Sequence, residues 1–240
     1  MTEKEQLSGP SGAAQEDLPE GYSLVAGGGF HALLGRYGFL GDDQLPSFKA
    51  AIGLALVAWS IPAFFVILQS LVGEDYSGWD YFEDPTVYSR YLISIVMMIA
   101  TERMADGRVA LLIQQFQDAQ ILDGPNRARF AAAVKRADKR ASSHGIELFI
   151  LIVAFAWSVI TTRIASEVSA DNWEAALSAD GSTVLSLSGD ESANTSNTLF
   201  LFLVLRWLWR FLIWAGLLRT TSLLELQIMP LHPDRCGGLG

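Results

Sequence analysis

The chain has 240 residues, half of them hydrophobic and only 18% charged, with a mean hydropathy of +0.28. Soluble domains carry about a quarter charged residues, so the shortfall points to lipid. A net charge of -9 and a pI near 4.8 argue against the basic face of a nucleic-acid binder, and a single cysteine, Cys236, excludes an internal disulfide framework.

Residues 1–21 are polar and acidic and read as a disordered tail, with no basic-then-apolar start of a signal peptide. Residues 22–48 read as a cytoplasmic or interfacial segment, and 49–240 as the membrane domain. No charge occurs between Lys49 and Glu74, a run of 24 residues. Roughly 20 suffice to span the hydrocarbon core, so 50–73 is the first span, with a kink expected at Pro62. Residues 74–90 carry Tyr76, Trp79, Tyr81, Phe82 and Tyr88, which suit an interfacial aromatic belt. The second span, 91–113, is weak by hydropathy because Glu102, Arg103, Asp106 and Arg108 interrupt it. The third, 145–162, is clean except for Glu147 at one end. Residues 166–197, rich in Ser, Asp and Gly, read as a mobile loop. The fourth span, 198–218, is apolar and aromatic but contains Arg206 and Arg210.

Charge placement decides the weak span. The stretch 114–144 holds Arg127, Arg129, Lys135, Arg136, Lys139 and Arg140, whereas 74–89 and 164–197 hold no Lys or Arg. Lys and Arg accumulate on the cytoplasmic side. Four spans put the basic loop and both termini inside and both acidic loops outside; three spans scatter them. The expected fold is therefore all-α, an integral membrane protein with four transmembrane helices and both termini on the cytoplasmic side. Within the basic loop, Phe130, Val134, Ala137 and Ala141 recur at helical spacing. That helix, 126–141, either lies on an anionic inner leaflet or is a solvated connection.

The charges inside the spans are the candidate site. Arg206 and Arg210 together cost roughly 5–7 kcal/mol at mid-membrane. The 13 Leu, Ile, Phe and Val residues of the fourth span return roughly 4–8 kcal/mol, so partners would tip the balance. Glu102 and Asp106 are four apart and share a helix face, as do Arg206 and Arg210. Glu102 lies roughly 17 Å in from Tyr91 and Arg210 roughly 18 Å in from Thr198, at 1.5 Å per residue, so the depths match. Spans two and four are expected to pack with these charges inward. The bland reading is an ion pair that fixes helix packing; the functional one is a polar pathway or substrate site. Trp207, Trp209 and Trp214 flank the arginines as packing or lipid-facing aromatics, with cation–π contact as the alternative.

The chain ends in a turn carrying His232, Pro233, Asp234, Arg235 and Cys236, followed by Gly237-Gly238. The Pro and Gly residues fix a turn on the inner face. The spacing is too tight to close a four-ligand metal site. The tripeptide His232-Pro233-Asp234 matches the loop signature of J-domain co-chaperones, but the flanking soluble helices are missing. The stretches Arg206-Trp207-Leu208-Trp209-Arg210, Leu231-His232-Pro233-Asp234-Arg235 and Gly237-Gly238-Leu239-Gly240 resemble a family of bacterial multi-pass inner-membrane proteins. Gly27-Gly28-Gly29-Phe30 and Ile99-Ala100-Thr101-Glu102 look similar to it too. The resemblance covers most of the chain from about Tyr22, implies this architecture and no particular chemistry, and makes the chain look like a truncated member of a longer type.

No phosphate loop, His-Glu-x-x-His or nucleophile elbow occurs, and His31 and His144 stand alone. The sequence nominates no cofactor, no metal and no catalytic set. The first expectation is a non-enzymatic scaffold, assembly subunit or signalling partner, with a protein partner or a second copy of itself. A transporter or channel using Glu102, Asp106, Arg206 and Arg210 is the second. A membrane enzyme or metal protein centred on 232–236 is the third.

Overall fold

The computed structural model describes residues 23, 27–72, 78–118, 122–168, 173–177 and 183–224. They form a mostly helical bundle. A short helix α1 (Gly28–Arg36) precedes α2 (Phe48–Val72). Two helical turns, α3 (Asp80–Glu83) and α4 (Pro85–Val87), lead through a π-helical stretch (Tyr88–Ser94) into α5 (Ile95–Asp118). Then come α6 (Gly124–Ala141), α7 (His144–Val168), a ribbon of β1 (Ala175–Leu177) and β2 (Thr183–Leu185), the short α8 (Leu187–Glu191), a second π-helical stretch (Ser192–Ser196) and α9 (Asn197–Ser222).

Three stretches are helical, long and apolar enough to cross a membrane: Phe48–Val72, His144–Ala165 and Leu187–Ser222. α5 misses that description because of its four central charges, yet it is a continuous helix lodged in the same bundle. α2 continues through Pro62, and its buried face is built of small residues, Ala50, Ala51, Ala55, Ala58 and Ala63. Small side chains let a neighbouring backbone come close, and here α5, α8 and both π-helical stretches pack against α2. Its larger residues, Leu56, Phe64 and Leu71 among them, face outward.

One narrow stripe of each long helix is buried. On α5 and its π-helical start the stripe is Tyr91, Ile95, Ile99, Glu102, Asp106, Val109 and Ile113, steps of three and four that stay on one helix face. On α9 it is Thr198, Phe202, Leu203, Arg206, Arg210, Ile213 and Leu217. On α7 it is Glu147, Ile150, Ala154, Ser158 and Thr162. The charges thus sit in register with the apolar core positions. They also divide the core. Ile95, Ile99 and Leu203 belong to one apolar cluster with Phe30, Ala154 and Phe202. Val109, Ile113, Ile213 and Leu217 belong to a second, with Phe130 and Val134 of α6. Glu102, Asp106, Arg206 and Arg210 occupy the layer between.

One expectation is corrected. The stretch 166–197 is not simply a loop: α7 runs to Val168, and the helical path into α9 begins at Leu187, well before Thr198. The composition hides the local devices that order it. Ser186 caps α8 by accepting from the Gly189 N–H at 2.9 Å, and its hydroxyl donates to the Trp173 carbonyl at 2.8 Å. Trp173 packs edge-on against Tyr81, with centroids 4.9 Å apart. The apolar face of 126–141 is covered by protein. Phe130, Val134, Ala137 and Ala141 are buried in the second cluster, with α9 as the principal neighbour. Asp123 caps this helix on the Asn126 N–H. Its six basic residues all stay exposed on the outer face.

Candidate functional site

Arg206 is the centre of the charged layer and is 1% exposed. Its Nη1 donates to both oxygens of Glu102, at 2.7 and 2.9 Å, and its Nε donates to Glu147 Oε1 at 3.1 Å. Arg210, one turn further along α9, pairs with Glu102 Oε2 at 3.1 Å. A buried guanidinium is tolerable only when paired and hydrogen-bonded. Here one arginine spans two carboxylates and one carboxylate spans two arginines, so α5, α7 and α9 are tied at one level.

α1 joins the same knot. The other Glu147 oxygen accepts from the Phe30 N–H at 3.0 Å, at the start of α1. A helix N-terminus presents unpaired N–H groups and a partial positive charge, which suits a carboxylate. The approach requires glycine. A Cβ on Gly28 would stand 2.5 Å from both Glu147 oxygens, and its φ of +86° lies in the left-handed region. Gly27, at φ +106°, would likewise meet Ser142 at 2.7 Å. The Phe30 ring then lies under Arg206, with Cζ 4.7 Å from its centroid, and packs on Phe202.

The structure brings Glu102, Arg206 and Arg210 into direct contact. Asp106 is buried beside them and accepts from the Ser23 hydroxyl at 2.9 Å. The ring facing Arg206 is Phe30, and Trp207 instead stacks on Phe211 at 6.5 Å with planes 4° apart. Residues 232–236 lie outside the described residues. Among the described residues no group of three or more His, Cys, Asp or Glu is arranged to hold a metal. Sequence reasoning missed Glu147. It is the lone charge at the edge of the third apolar run, and only its nearness to the end of that run hid it. The Gly27-Gly28-Gly29 run was visible, but its purpose needs the tertiary contact.

A groove opens beside the charged layer, between α5 and α9, with a volume of about 260 Å³. Leu112, Trp207, Phe211 and Trp214 give it mostly apolar walls, and Arg108 is also part of its lining. At the opposite end of the bundle a polar cavity of about 420 Å³ is lined by Asp84, Arg90, Trp173 and Glu174. Burial pushes the Glu174 carboxyl up, against a lowering pull from Arg90. Burial also acts on Asp84, but hydrogen bonds from Thr86 and Trp173 outweigh it and hold that carboxyl below its usual value.

Fold and charged layer together define a helical protein with three helices long and apolar enough to cross a membrane. No protein-family model, curated protein or solved structure matches the chain. Its function is to be read from its own residues.

Proposed function

We propose that α2, α5, α7 and α9 cross a bacterial inner membrane side by side, with α6 and both chain ends on the cytoplasmic side, and that the protein is a non-enzymatic component of a membrane assembly. The observation that carries this is the use of the buried charges. Arg206 binds Glu102 and Glu147, and Glu147 in turn binds α1, so charge is spent on joining helices. Such a layer lowers the cost of carrying α5 through lipid, because its Glu102 meets counter-charges at the same depth. The six exposed basic residues of α6 support the cytoplasmic assignment of that side.

A second reading, a transporter or channel, has one observation in its favour: the groove between α5 and α9 reaches Glu102, Asp106 and Arg210. Cysteine labelling separates the two. A closed joint predicts that Glu147→Cys and Arg206→Cys, in membranes, resist water-borne thiol reagents, and that the protein purifies from its native membrane with a stoichiometric partner. Rapid labelling at both positions, together with ion or solute flux in proteoliposomes, overturns the scaffold reading in favour of transport. Labelling of Arg136→Cys from the periplasmic side overturns the topology.

A further inference from the structure

We propose that the groove between α5 and α9 is a binding site for one anionic phospholipid of the leaflet on the α6 side, with its phosphate on Arg108 and an acyl chain against Trp207, Phe211 and Trp214. The inference rests on α5 and α9 crossing the membrane together.

Size and lining come first. Pockets that enclose a small ligand run from about 300 to 1,000 Å³. This one, at about 260 Å³ and open on one side, holds only part of a molecule, as a groove that takes a lipid from the side does. Its walls are aromatic and aliphatic. Trp207 and Phe211 stack one helical turn apart on α9 and are both partly exposed, which gives an apolar wall for a hydrocarbon chain.

Charge comes second. Four ionisable side chains touch the groove: Glu102, Asp106, Arg108 and Arg210. Glu102 is held by Arg206 and Arg210, and Asp106 receives the Ser23 hydroxyl. Arg108 is exposed and makes no ion pair among the described residues. It lies six residues beyond Glu102, about 9 Å towards the α6 end, beside Val109, which is buried in the cluster that α6 completes. A cation there, with a long stem that reaches the headgroup level, meets a lipid phosphate. With no ion pair of its own among the described residues, Arg108 favours an anionic headgroup over a zwitterionic one.

The test is native mass spectrometry of the full chain, released from micelles that contain phosphatidylglycerol and phosphatidylcholine of matched chains. The expected result is one retained phosphatidylglycerol, preferred over phosphatidylcholine. Arg108→Ala should weaken that preference about five-fold, the equivalent of roughly 1 kcal/mol for one cation near the surface. Leu112→Trp, which fills the groove, should lower retention of both lipids. Lys139→Ala, exposed on α6, should change either by less than about two-fold. The proposal is overturned if Arg108→Ala keeps the preference, if Lys139→Ala loses as much, or if glycerol phosphate competes as well as the whole lipid. Should Arg108→Ala fail to fold, headgroup-matched spin-labelled lipids decide on the unaltered protein. Stronger tryptophan quenching by the anionic lipid, lost in Trp207→Phe, supports the site, and equal quenching by both lipids overturns it. Labelling of Arg136→Cys reports the topology separately, so failure of the groove and failure of the four-span reading give different results.

Discussion

Glu102→Gln keeps the size and shape of the side chain and removes its charge. Arg206 is then left with Glu147 at 3.1 Å as its charged partner, and Arg210 loses the carboxylate 3.1 Å away. Removing one member of a buried ion pair costs about 3–5 kcal/mol. The amide oxygen still accepts one hydrogen bond from Arg206, which puts the expected loss near the lower end, about 3 kcal/mol. Reversible unfolding in mixed micelles, followed by tryptophan fluorescence, measures it. The double variant Glu102→Gln with Arg206→Gln should cost less than the sum of the singles, with a coupling of about 0.5–3 kcal/mol. In the same frame Glu102→Arg should be at least partly rescued by Arg206→Glu or Arg210→Glu. If Glu102→Gln unfolds within about 0.5 kcal/mol of the unaltered protein, the range of an indifferent surface change, the carboxylate does not hold these helices together.

Gly28→Ala should destabilise by about 1–3 kcal/mol in the same assay, because φ is +86° and the new Cβ meets the Glu147 carboxylate. Gly29→Ala, whose nearest contact is an ordinary 3.5 Å, should lose nothing; equal losses refute the close-approach argument. Phe130→Ala removes a ring buried in the second cluster and stacked on Phe116 at 5.7 Å, for about 3–5 kcal/mol; a loss below about 1 kcal/mol would mean that α6 is not docked. Burial raises the Glu174 carboxyl, so the folded form keeps that proton to higher pH than the unfolded chain. Its ionisation therefore weakens the fold as pH climbs from the ordinary glutamate range through the raised value, and not below it. Glu174→Gln should raise the melting temperature at pH 8, with the gain shrinking towards pH 4; a shift of the same size at both pH values contradicts this.

The helical class and the three apolar helices were legible because continuous hydropathy over some 20 residues has few other readings. Glu102 was legible as a partner of the α9 arginines because charge at matched depth in apolar helices demands company; the depth match pointed to Arg210, and the closer contact falls on Arg206 one turn away. Glu147 was not, since a charge at the end of a span is ordinary, and only the fold puts that end beside α1 and α9. The burial of the α6 apolar face was not legible either: Phe130 and Val134 would look the same to lipid as to protein. Within 166–197, Ser186 and Gly189 read as loop composition, although one is a cap and the other lets the chain pass the Glu174 carbonyl.

The order in which the joint's members leave the ribosome has its own consequence. Glu102 comes first, Glu147 next, and both arginines last. Both carboxylates are therefore made before the arginines that bind them. In a four-span insertion, Arg206 and Arg210 arrive when their acceptors are already in place, and α1, made before every span, can hook onto Glu147 only after the third span has emerged. On that reading α1, made before every span, is among the last elements to settle.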